Sequence, residues 1–147
     1  MCPRLKILCI FPPTNHTQVQ EVVLDTISQT YLPSLATYEG PYTHILYICH
    51  QPLIHVSLWG FHERLALCDP DALTQTLNGL AQRNSVEGLR TLTVLVINIT
   101  IDLLGSFSAF KNLEHLTVQS QERKFPSNRI TSPRFLISVS LLPLKLP

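Results

Sequence analysis

Leu89-Arg90-Thr91-Leu92-Thr93-Val94 reads as a leucine, two variable positions, a second leucine, one variable position and a small apolar residue. The spacing returns in Leu113-Glu114-His115-Leu116-Thr117-Val118, and more loosely at Leu5-Leu8-Ile10, Leu35-Tyr38-Gly40 and Leu53-Val56-Leu58. Apolar residues at alternate positions suit a strand buried on one face. Recurrence of the whole unit points to strands stacked side by side, not to one closed sheet.

The segments between these units carry helical spacing. Residues 17–30 place Val19, Val22, Val23 and Ile27 on one face, with Thr17 and Gln20 as a capping box. Tyr42 to Cys49 sets Tyr42, Ile45, Leu46 and Cys49 on one stripe and is stopped by Pro52. Asp69 is an N-cap with Pro70 at the first helical position, and Leu73, Leu77 and Leu80 line the face behind it. Asp102 to Phe110 is read as a turn or two of helix, or equally as an irregular loop, with Leu103, Phe107 and Phe110 inward. The expected fold is α/β, a short irregular leucine-rich-repeat-like solenoid with parallel strands and intervening helices. Its units are 18 to 36 residues apart, against the roughly 20–29 of a regular leucine-rich array. An ordinary α/β domain of right-handed βαβ units gives the same element order.

Composition bounds the function. At 147 residues, 45% hydrophobic and 14% charged, the chain has apolar mass for a core and is no disordered tail. A net charge of +1 gives no electrostatic footprint for nucleic acid or an anionic membrane. The apolar patch from Ile7 to Phe11 is too short for a signal-peptide core, and the run from Leu92 to Leu104 falls short of a membrane span. The protein is therefore expected to be soluble and intracellular, cytoplasmic or nuclear. Cys2, Cys9, Cys49 and Cys68 read as reduced thiols, and the sequons at Asn15 and Asn98 as chance matches.

Four stretches carry a family resemblance. They are Tyr31-Leu32-Pro33-Ser34-Leu35-Ala36-Thr37-Tyr38-Glu39-Gly40-Pro41, Pro52-Leu53-Ile54-His55-Val56-Ser57-Leu58, Asp71-Ala72-Leu73-Thr74-Gln75-Thr76-Leu77 and Phe110-Lys111-Asn112-Leu113-Glu114-His115-Leu116. Over roughly Cys2 to Gln119 the chain resembles the leucine-rich region of fungal F-box-type proteins. The resemblance implies repeats that present a substrate protein, beside an amino-terminal F-box that docks on a ubiquitin-ligase adaptor. No F-box precedes Cys2, so adaptor binding is not expected. The leucine-rich part is taken as residues 1–119 and an irregular carboxyl-terminal tail as 120–147. Within the tail, Phe135 to Leu142 is read either as an edge strand covering the last unit or as the product of a shifted reading of the gene.

A binding surface follows from strand geometry. With the signature residues inward, Thr37, Glu39, His55, Ser57, Trp59, Thr91, Thr93, His115 and Thr117 point to the opposite face and form the candidate partner-binding set. Trp59 heads it if exposed, since tryptophan is enriched at binding hot spots; the alternative is that Trp59 packs under the following loop with Phe61. The expected activity is non-enzymatic binding of an unidentified protein, without cofactor, metal, nucleic acid or membrane. A second reading is a small α/β enzyme or metal-binding domain using Cys49, His50, His55, His62 and Cys68, although none of these has the short paired spacing of a structural zinc site. Asp69 and Asp71 serve a helix start and are not an acid–base pair.

Overall fold

Each of the repeated signatures runs into a strand. The computed structural model describes residues 4–10, 26, 28–60, 68–83, 87–121 and 134–140. Strands β1 (Ile7–Cys9), β2 (Thr37–Pro41), β3 (His55–Trp59), β4 (Thr91–Val96) and β5 (His115–Gln121) lie parallel and in chain order. A sixth strand, β6 (Arg134–Ser140), pairs antiparallel with β5.

The signature residues set the register. Leu8, Tyr38, Val56, Leu92 and Leu116 fall opposite one another across β1 to β5, and Gly40, Leu58, Val94 and Val118 form the next row. From Tyr38 to Val118 all of these are buried, as are Leu35, Leu53, Leu89 and Leu113 just ahead of their strands. The junction between units is copied along the sheet. Ala36 and Thr37 both donate their amides to the Lys6 carbonyl. Ile54 and His55 do the same to Ala36, Arg90 and Thr91 to Ile54, and Glu114 and His115 to Arg90, at 2.8 to 3.1 Å throughout.

Among the described residues, helices cover one face only. A 3-10 turn at Tyr42–His44 leads into α1 (Ile45–Ile48), which buries Ile45 and Ile48. Helix α2 (Pro70–Ala81) buries Leu73, Leu77 and Leu80; its N-cap is Asp69, whose carboxylate accepts from the Ala72 amide at 3.0 Å. Helix α3 (Ile101–Phe107) buries Leu103 and Phe107 and is capped by Thr100, whose hydroxyl accepts from Leu103 N at 3.2 Å. These side chains and the inward strand residues belong to one core.

Three expectations are refined. The stripe on the 42–49 segment gains Ile48: Ile45, Ile48 and Cys49 are buried in the core, and Tyr42 and Leu46 pack against it half-buried. The 101–107 segment is a helix, and the threonine of the Asn98 sequon is its cap. The tail is not irregular throughout, since β5 runs on to Gln121 and β6 occupies residues within it. The expected helix over 17–30 lies outside the described residues except at 26 and 28–30, where 26 and 28 are helical; Phe61 and His62 lie outside them too.

Two tertiary details tie the units together. Gln51 is fully buried and clamps the loop ahead of β2: its Oε1 accepts from Leu32 N at 2.7 Å and its Nε2 donates to Thr30 O at 2.6 Å. Tyr38 fills the space beside Gly40, whose missing Cβ would sit 2.6 Å from the Tyr38 hydroxyl oxygen. That hydroxyl in turn donates to Pro41 O at 3.0 Å.

Candidate functional site

Parallel sheets are usually covered on both faces. Among the described residues this one is covered on one. Its other face presents two register rows, Thr37–His55–Thr91–His115 and Glu39–Ser57–Thr93–Thr117. The rows contain every sequence-nominated residue except Trp59. Glu39, His55 and His115 are exposed, and the threonines and Ser57 are half-buried by their neighbours across the sheet.

Trp59 departs from the set. It has the same strand parity as His55 and Ser57, yet it is 8% exposed, and its register partner Pro41 is buried as well. So covered an indole offers a partner little area, which supports the packing role weighed for it above. At the other side of the sheet, alternation carried one strand further adds Ile7 and Cys9, which continue the two rows and are exposed. Sequence reasoning passed over them, although their places in the Leu5-Leu8-Ile10 unit carry the signal.

The surface is polar and weakly charged. Glu39 is the carboxylate in the rows, with the Cys9 Sγ 4.0 Å from its Oε2. An ion pair between Arg90 and Glu114, 2.9 Å apart, borders the face where β4 and β5 begin. Both side chains are nearly half exposed, so its contribution to stability is small. Hydroxyl and imidazole groups donate and accept alike, which suits a polar partner surface. His55 and His115 stand two strands apart in one row, with Thr91 between them.

Of the cysteine and histidine residues from Cys49 to Cys68, the described ones, Cys49, His50, His55 and Cys68, do not converge. Cys49 is buried on the helix side of the sheet, its Sγ 2.8 Å from Arg83 Nη1 and 3.1 Å from Leu46 O. His55 stands on the opposite face. His50 is exposed beside Gln51, 2.7 Å away. Cys68 is buried next to β4 through a bridge to Val96, and burial, with the Asp69 charge second, pushes its thiol up to about 12. A thiol so shifted is a poor nucleophile at neutral pH. Among the described residues no group of three or more His, Cys, Asp or Glu side chains is placed to hold a metal ion. The gap in the core lined by Ile45, Leu53, Leu77 and Leu92 measures about 10 Å³, far below a substrate pocket. A shallow hollow of about 260 Å³ lies instead beside Arg83, Glu87, Phe110 and Lys111, away from the open face.

No described helix is long and apolar enough to cross a membrane. No protein-family model matches the chain, and no curated protein or solved structure is detectably similar to it.

Proposed function

We propose that this chain is a non-enzymatic protein–protein interaction module, a short irregular leucine-rich-repeat-like array that receives its partner on the open face of the sheet. The supporting observation is the one-sided covering of a parallel sheet: helices on the Leu92 side, rows of Thr, His, Ser and Glu on the other. The repeated junction hydrogen bonds favour the repeat reading over an ordinary α/β domain. On this reading the module is similar to the substrate-presenting part of fungal F-box-type proteins and acts within the cytoplasm or nucleus. It uses no cofactor and contacts neither nucleic acid nor membrane.

A photo-crosslinking residue placed at Thr93 or Thr117 tests the face, with Gln75 on the exposed side of α2 as control. A partner adduct is expected from the two strand positions and not from Gln75. Thr93→Arg is expected to abolish it with the circular dichroism spectrum unchanged. Equal labelling from Gln75, or adducts indifferent to Thr93→Arg, would remove the face from consideration.

A further inference from the structure

The two edges of the sheet differ. On the β5 side the antiparallel strand β6 continues the pairing. On the other side, among the described residues, nothing pairs with the outer edge of β1. Lys6 O accepts from β2 and Ile10 N donates to Glu39 O, so the even positions of β1 face β2. Backbone groups alternate sides along a strand. Ile7 and Cys9 therefore turn their N–H and C=O groups outward.

The side chains at this edge are also incompletely covered. Leu5, Leu8 and Ile10 pack against the core only in part, whereas the equivalent residues of the next four units are buried. On the open face Ile7 is 57% exposed. A backbone edge that no described residue pairs, with a half-covered apolar row behind it and an exposed isoleucine in front, is a template for strand addition.

We propose that β1 is a self-association edge: two copies of the chain pair antiparallel through β1 about a two-fold axis at Leu8. The edge is complementary to itself in this register. Ile7 of each copy lies opposite Cys9 of the other, and each such pair exchanges both backbone hydrogen bonds. Leu8 meets Leu8 as the close, non-hydrogen-bonded pair on the axis. With the axis normal to the sheet, the core sides of the two copies coincide. Leu8 then covers its counterpart on the core side, and Ile7 is shielded by Cys9 of the other copy across the interface. Lys6 faces Ile10, so no like charges oppose one another. The inference is independent of the open-face proposal, since it uses the edge of the sheet.

The test is the mass of the full chain in solution by sedimentation or light scattering, from low to high micromolar concentration. A monomer–dimer equilibrium is expected. Ile7→Pro removes an outward amide and no sheet hydrogen bond, so it should raise the dimer dissociation constant at least about tenfold. Should Ile7→Pro fail to fold, Ile7→Lys at the same exposed position replaces it. Leu8→Cys in a Cys9→Ser background should give a disulfide-linked dimer on mild oxidation, because directly opposed residues have bridging geometry. A monomer at every concentration overturns the proposal. So does a dimer that survives both Ile7 variants and yields no Leu8→Cys crosslink.

Discussion

At the residue scale the second unit departs most from its neighbours, and its departure is self-consistent. Where other units carry two aliphatic residues, this one has Tyr38 and Gly40, and the tyrosine ring occupies the volume the glycine leaves. A methyl at Gly40 would meet Tyr38 Oη at 2.6 Å and Cζ at 2.8 Å. Tyr38 is fully buried and its hydroxyl is held by Pro41 O, so the ring has nowhere to swing. Gly40→Ala should therefore destabilise by roughly 1–3 kcal/mol, read as a lower urea midpoint. Cys68 gives a second prediction. Its folded-state value of about 12 lies above the ordinary 9.0, so its contribution is fully present below pH 9. That contribution is lost as pH rises from 9 through 12, where the unfolded chain ionises first. Tyr38, raised in the same direction by burial, adds to the alkaline loss. Cys68→Ala should flatten the stability profile across that window, and an unchanged slope in denaturant titrations at stepped pH would contradict it. Sequence alone could pair neither Tyr38 with Gly40 nor Gln51 with the 30–32 loop. Both depend on atoms brought together by the fold.

Elements with complete local signals were legible. The Asp69–Pro70 start and the Leu73, Leu77, Leu80 stripe locate α2, because cap, first-turn proline and apolar period agree. Asp69→Ala should cost about 1 kcal/mol, measurable as a drop in melting temperature, whereas Asp71→Ala on the exposed first turn should cost much less. The strands were legible for the same reason, a period of two behind a leading leucine. Helix α3 was only half legible, read equally as a turn or two of helix or as a loop, since Gly105 weakens its propensity and Thr100 reads as part of a sequon until the Leu103 amide is seen donating to its hydroxyl. Strand β6 offered no unit spacing, because an antiparallel addition has no place in the repeat, but its apolar run reads, in one of two alternatives, as an edge strand covering the last unit. On the candidate surface, alternation placed eight of the nine nominated residues in two rows. It failed at Trp59, where tertiary cover overrides parity.

At the scale of the molecule, units touch mainly their neighbours through one copied junction. Stability in such an arrangement approximates a sum of unit and nearest-neighbour terms, so the ends open before the middle. Amide hydrogen exchange should be slowest in β3 and β4, flanked by paired strands and backed by α2, and fastest in β1, whose signature residues are half-covered. Uniform protection from β1 to β4 would show one indivisible core instead. The buried Trp59 makes such opening visible by another route. It is the single tryptophan of the chain, and it sits near the carboxyl end of β3. The molecule thus carries an intrinsic fluorophore, with emission blue-shifted while the indole is shielded and red-shifted once water reaches it, so loosening around β3 can be followed optically in unlabelled protein.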